Sequence, residues 1–331
     1  MGVSEATVSR ILSGRISRHN ADTVARVQET ARRLSYVPNT VARNLARRST
    51  NLIGLAFESS PDFRHNYYFL EVFSGFLDVY RRVGYQVTIL TSNQEDRNDI
   101  IHHLRSGQFD GALLIAPESR SPLLRWAQQS TYPIVSVGTT VPAEYGITCV
   151  DVDNVAGSQE AVRCLIAHGH TRIGFAGANP HNTTAALRYR GYEQAMQEAG
   201  LTPLPWLWAE EERMGQKSGA VAVLRLLDAH PDITAIYCTN DGVAIGGLQA
   251  ATQTGRHVPE DLSVIGFDNA PEAELVQPAL STMRQDALEI GRIAAQQLLE
   301  RIRHPEMEPQ ILLQPATLIL RETVRAPHQS A

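Results

Sequence analysis

No stretch of this chain is apolar for the roughly 18–20 residues that a bilayer-spanning helix needs, and its first residues lack the apolar region of an export signal. A membrane-embedded or exported protein is therefore not expected. Cysteine is scarce: Cys149, Cys164 and Cys238 are an odd number with no close spacing. That excludes a disulfide framework and the usual zinc spacings, and reads as free thiols in a reducing cytoplasm. Gly174 and Gly177 fall short of a dinucleotide fingerprint. No Ser/His/Asp set has the strand–turn–helix context of a nucleophilic hydrolase. His168-Gly169-His170 reads as a helix end, and the adjacent His102 and His103 face different directions on a helix, so no metal is expected. Residues 323–331 show no heptad repeat for a coiled-coil tail. These absences leave a chain with no expected cofactor and no expected enzymatic activity.

Lysine is missing from the first fifty residues, where every cation is an arginine. Nine arginines against three acids give that segment a net charge of +6, whereas the whole chain carries −5, leaving −11 for the remainder. A basic segment joined to an acidic body suits a nucleic-acid-binding arm, because the guanidinium fork binds phosphate or guanine bidentately. A chain of 331 residues, 43% hydrophobic and 20% charged, suits two or three globular domains.

Within the basic segment, Ser4 is a good N-cap, with Glu5 at the positive start of a helix. Val8, Ile11 and Leu12 share a face of that helix, and Gly14 can end it. A second helix is expected from about Asn20 or Asp22, with Val24, Val27, Ala31 and Leu34 in one stripe and Arg26, Arg32 and Arg33 off it. Pro38 breaks the chain, and Asn39 can cap a short helix over 40–45 in which Val41 and Leu45 lie together. Six residues are far below the roughly 12–15 that hold a helix alone in water, so this one forms only against a partner.

Three motifs resemble the LacI/GalR family of bacterial transcriptional regulators: Val-Ser-x-x-Thr-Val-Ser-Arg at 3–10, Leu-x-Tyr-x-Pro-Asn at 34–39 and Ala-Arg-x-Leu at 42–45. The resemblance implies a helix-turn-helix headpiece over 1–50 that reads a DNA operator. It places Glu5, Ala6 and Arg10 at base-reading positions and Thr7 and Ser9 near phosphates, with Ser4, Asn39 and Arg43 completing the DNA-contacting set. Arg10 can pair with guanine and Ala6 offers only a methyl group. Glu5 either accepts from cytosine or serves only the helix N-terminus. The 40–45 helix matches the family's hinge helix, whose leucine wedges into the minor groove. Leu45 is that residue, unless it packs only its own helix. The resemblance also implies a helix of about a dozen residues ahead of Gly2; the expectation is a true start upstream of Met1.

Beyond residue 50, apolar runs at 52–57, 86–90, 111–115, 134–137, 147–150, 172–176, 235–238 and 263–267 alternate with amphipathic segments at 68–82, 154–168, 188–199 and 218–230. Such alternation predicts an α/β fold of two doubly wound parallel-sheet lobes. The expected lobes are 51–149 with 281–308, and 150–280 with 309–325. A long helix over 285–303 and a final strand over 311–320 pass between them, while 201–208 forms an edge strand. The family resemblance extends over this region and implies a periplasmic-binding-protein-like core.

Ligands of open α/β sheets bind at the carboxyl ends of strands. Tyr68 and Phe69 follow the first strand and can stack on a ring. Asn240 follows the strand at 235–238 and Asp268 the strand at 263–267; Asn240 and Asp241 can alternatively cap the next helix. By resemblance, Arg188, Asn240 and Asp268 are effector-binding residues. Met214 stands where the family often has an aromatic platform, and Gly138 where some relatives carry a polar side chain. An arginine, an asparagine and an aspartate on one cleft suit a polyhydroxyl ligand: a sugar, sugar acid or nucleoside-like molecule. The expected protein is thus a homodimeric, effector-responsive repressor of a carbohydrate-related operon. A solute-binding protein of a transport system shares the expected core but not the basic headpiece, and an enzyme finds support only in fold analogy.

Overall fold

The computed structural model describes residues 2–12, 19–36, 49–57, 67–91, 99–117, 121–140, 145–177, 182–208 and 215–327. They belong to two compact units, Met1–Asn51 and Leu52–Ala331. The expected hinge helix over 40–45 lies outside the described residues.

The first unit contains α1 (Glu5–Leu12) and α2 (Ala21–Arg33). Ser4 starts α1 as expected: its hydroxyl accepts from the Thr7 amide at 3.2 Å. Asn20 does the same for α2, accepting from the Asp22 amide at 3.0 Å. Both caps satisfy N–H groups that a helix start leaves orphaned. Ile11 of α1 and Val27 of α2 are fully buried, and Val8 and Leu12 are half-buried. Leu34 departs from the expected stripe. Helix α2 ends at Arg33 and Leu34 occupies its C-cap, so the side chain leaves the helical face and is 67% exposed.

The second unit opens with β1 (Leu52–Phe57), α3 (Tyr67–Val83), β2 (Gln86–Thr91), α4 (Asp99–Arg105), β3 (Gly111–Ile115), α5 (Pro122–Gln128), β4 (Ile134–Val137) and β5 (Thr148–Val152). It continues through α6 (Asn154–Ala167), β6 (Ile173–Gly177), α7 (Thr183–Glu198), β7 (Leu207–Trp208), α8 (Gln216–Ala229), β8 (Ala235–Cys238), α9 (Asp241–Gln253), β9 (Ser263–Asp268) and α10 (Glu272–Leu275). It closes with β10 (Ser281–Arg284), α11 (Ala287–Arg303), β11 (Ile311–Gln314) and β12 (Thr317–Ile319). Two six-stranded sheets result, ordered β11-β5-β4-β3-β1-β2 and β12-β10-β9-β8-β6-β7. Every pairing is parallel except β10 with β12.

The strands read as continuous apolar runs because both faces are covered, as in parallel sheets generally. In β1, Ile53, Leu55 and Phe57 join one core with α3 and α11, while Ala56 joins a second core with α4 and α5. The first of these cores runs on into the second lobe through Val162, Phe175, Tyr192 and Phe267. Helices α3 and α11 approach closely enough that a Cβ on Gly75 would lie 2.1 Å from the Leu288 carbonyl, and one on Gly291 equally close to the Val72 carbonyl. No helix among the described residues is long and apolar enough to cross a membrane.

The strands shift the expected lobe boundaries. β5 extends past 149 through Val152 in the first sheet, β10 at 281–284 belongs to the second sheet, and β11 returns to the first. The single strand expected over 311–320 is two strands in different sheets. Pro315, which has no N–H to give a ladder, sits between them. The chain thus passes between lobes three times, at 152–154, 284–287 and 314–317.

Candidate functional site

The expected base-reading and phosphate-contacting residues sit on α1 and its start. Ser4, Glu5, Ala6, Ser9 and Arg10 are exposed. Thr7 is half-buried, its hydroxyl 3.0 Å from that of Ser4. With Ile11 turned inward, α1 keeps its polar side chains on the surface. Asn39, Arg43 and Leu45 lie outside the described residues.

In the second unit, Arg188 on α7 is 3% exposed and lies at the carboxyl ends of the second sheet. Its Nε–H donates to Asn154 Oδ1 at 2.8 Å. Nη1 donates to the Thr239 carbonyl and reaches Asp268 Oδ1 at 3.4 Å. The guanidinium lies 3.6 Å from the centre of the Phe267 ring, a cation–π contact. Asp268, the last residue of β9, also accepts from Gln285 Nε2 at 2.7 Å. Its φ of +124° lies where side chains other than glycine are strained, and such strain clusters at functional sites. Burial raises the Asp268 pKa against the opposing pull of Arg188 and Gln285.

Of the two residues that could cap the next helix, Asn240 does so and Asp241 does not. Asn240 Oδ1 caps α9, accepting from the Val243 amide at 2.8 Å. Asp241 is buried and accepts from Thr282 Oγ1 at 2.5 Å and from the Ala270 amide at 2.7 Å, so it braces the β10 segment. Burial first, then the neighbouring Asp268, pushes its pKa well up. Met214 lies outside the described residues.

Tyr68 and Phe69 open α3 with their rings edge-on, centroids 5.5 Å apart, and Phe69 meets Phe57 edge-on at 6.2 Å. Phe69 is therefore tied into the core. The Tyr68 hydroxyl is buried and has no hydrogen-bond partner among the described residues. Its pKa is raised well above that of a free phenol by burial, then by Asp151 and Asp268, with Arg188 opposing. Gly138 ends β4 with a φ of +75°; a Cβ there would lie 3.2 Å from the Tyr68 ring. The two lobes also touch where Thr184 Oγ1 donates to the Gly138 carbonyl at 3.3 Å.

Sequence reasoning missed Asp151, Asn154 and Gln285. Asp151 is 2% exposed at the end of β5 and accepts from Thr140 Oγ1 at 2.9 Å, the Val152 amide at 2.9 Å and Asn154 Nδ2 at 3.1 Å. Asn154 thus joins a first-lobe carboxylate to the Arg188 guanidinium. The available signal was the position itself, a carboxylate closing an apolar run. Burial pushes the Asp151 carboxyl up to about 6, against its hydrogen bonds and Arg188. The folded protein then holds a proton that the unfolded chain has already released between pH 4 and 6. The stability this contributes is complete below about pH 4 and is lost as pH rises through about 6. Each pKa unit is worth about 1.4 kcal/mol, so up to about 3 kcal/mol is at stake. Asp151→Asn is expected to lose less stability than the wild type between pH 4.5 and 7 in urea titrations. Equal losses would show that Asp151 does not titrate across this range.

His168-Gly169-His170 closes α6, as expected, and His170 has a structural role. Gly169 takes a φ of +95° after α6, and His170 is buried, contacting Thr234 Oγ1 at 2.9 Å, Ser263 Oγ at 3.1 Å and the Arg325 carbonyl at 2.8 Å. No cluster of metal-binding side chains occurs among the described residues.

Two doubly wound lobes joined by three crossings, with polar groups gathered at the strand ends between them, define a periplasmic-binding-protein-like core. Residues 162–324 match the periplasmic binding protein-like domain family. The chain is 34% identical over 310 residues to the HTH-type transcriptional repressor PurR of Haemophilus influenzae, covering 92% of this chain and 89% of that one. It is 30% identical over 330 residues to the ribose operon repressor of the same species, covering 97% and 95%. A solved complex of the transcriptional regulator CelR with cellobiose shares 27% identity at a TM-score of 0.74, covering 97% and 96%. The chain belongs to the LacI family of transcriptional regulators.

Proposed function

We propose that this regulator is a cytoplasmic, homodimeric repressor of a carbohydrate-related operon whose operator affinity is set by a small effector bound between the lobes. The observation that carries the effector role is the Arg188–Asp268 pair. A buried guanidinium and a strained carboxylate meet at the strand ends, beside the unsatisfied Tyr68 hydroxyl. Arg188, Asp268, the amide of Asn240 and Tyr68 hold the effector, with Phe69 and Met214 lining its site. Bidentate groups beside a carboxylate satisfy neighbouring hydroxyls, in keeping with a sugar, sugar acid or nucleoside-like effector. The cellobiose bound by CelR supports that class.

Ser4, Glu5, Ala6, Thr7, Ser9 and Arg10 contact the operator through α1, with Asn39, Arg43 and the Leu45 wedge following. A second copy of the chain covers Leu70 and Leu77, exposed one heptad apart on α3, and the exposed Ile89 on the edge strand β2. Effector binding changes the angle between lobes and with it the spacing of the two headpieces. Couplings of this kind are typically about 1–3 kcal/mol.

Operator binding tests the DNA half of this reading. A protein neutralising roughly 6–10 phosphates loses about 10³–10⁵ in affinity between 50 and 200 mM salt. Fluorescence anisotropy on a labelled operator is expected to show a loss in that range. An affinity that barely responds to salt would remove the headpiece from the mechanism.

A further inference from the structure

Among the described residues, two carboxylates, Asp268 and the buried Asp151, are joined to Arg188, one directly and one through Asn154. The Asp268 carboxylate already holds Arg188 at 3.4 Å. Asp151 lies buried at the end of β5 and is tied to Arg188 through the Asn154 side chain. Between these acids the Tyr68 hydroxyl is buried without a partner, although a buried phenol normally finds one. Gly138 is what lets it stand there, because any side chain at that position would press on the ring.

We infer that Asp151, acting with Tyr68 and Asp268, selects an uncharged polyhydroxyl effector and rejects its carboxylated and phosphorylated counterparts. This rests on the effector-site reading above and narrows it. A neutral hydroxyl can donate to a carboxylate and accept from the phenol, satisfying Tyr68 at no charge cost. An anionic ligand would meet the Asp268 carboxylate and, behind Asn154, the buried Asp151. The Arg188 guanidinium is already shared between Asp268, Asn154 and the Thr239 carbonyl. Like charges at such range are strongly disfavoured where solvent screening is weak. Asp151 is thus a specificity-determining residue contributed by the first lobe, opposite the Arg188–Asp268 pair of the second.

The test is a binding panel on the full chain built from matched sets. Glucose, gluconate and glucose 6-phosphate form one set; ribose, ribonate and ribose 5-phosphate another; adenosine and AMP a third; cellobiose and cellobionate a fourth. Binding is read by calorimetry and by the change in operator affinity. The expected result is that at least one neutral member binds, with at least tenfold preference over its anionic partners. Asp151→Asn should reduce that preference at least tenfold by admitting the anion. An anionic member that binds as well as its neutral partner overturns the inference and leaves the effector site standing. A panel in which nothing binds overturns the effector-site reading itself. Should Asp151→Asn fail to fold, the wild-type preference alone decides.

Discussion

Arg188→Ala will abolish the response to effector and leave operator binding in its absence intact. The guanidinium satisfies Asn154, Thr239 and Asp268 and lies on Phe267, so the proposed effector site is built around it. Hydrogen bonds to a charged group contribute about 1.5–3 kcal/mol each, and losing two lowers effector affinity at least about 100-fold. Truncation also leaves Asp268 without its cation. Removing one partner of a buried pair costs about 3–5 kcal/mol of stability, so the comparison belongs well below the melting temperature. Arg188→Lys is expected to restore little, because one ammonium group cannot reach three acceptors in the fork geometry. The measurement is operator affinity with and without the effector that the panel identifies. A variant that still responds would move the effector elsewhere in the protein.

Gly75→Ala is expected to be nearly as damaging, by a different route. Its new methyl group would sit 2.1 Å from the Leu288 carbonyl, a backbone atom that cannot swing aside. Gly291 faces the same constraint from Val72, so the two helices cross through a pair of glycines. Separating them opens the core of Val72, Phe76, Ile290 and Ala294. Overpacking typically costs about 1–3 kcal/mol and more when backbone must move. At about 3 kcal/mol the melting temperature falls by roughly 6–12 °C. Calorimetry showing a shift of less than a degree would mean that the helices part without strain.

The sequence exposed the fold where burial is two-sided. Runs such as 52–57 and 111–115 have little to be except buried parallel strands, and they are. It misled where a strand carries polar residues. Ser281–Arg284 has only Met283 as a large apolar residue, and β5 runs on through Asp151. Helix α7 begins at Thr183 rather than 188, since Thr183-Thr184-Ala185-Ala186 has no apolar period and Asn182 is its cap. The site was legible in the same uneven way. Arg188 and Asp268, 80 residues apart in sequence, do meet. Asn154 and Gln285 could not be found, because each sits where the chain crosses between lobes, and crossings are decided by tertiary packing rather than local pattern.

Those crossings also dictate how the chain can be built. Neither lobe is a continuous stretch of polypeptide, since the first needs α11 and β11 from beyond residue 286 to cover β3 and β5. At synthesis rates of about 5–20 residues per second, its sheet waits roughly 10–30 s between the emergence of β5 and that of β11. Throughout that interval the flank of β5 presents bare backbone donors and acceptors to any neighbouring strand. A ribosome that stalls before residue 311 therefore releases not a smaller regulator but two unfinished halves.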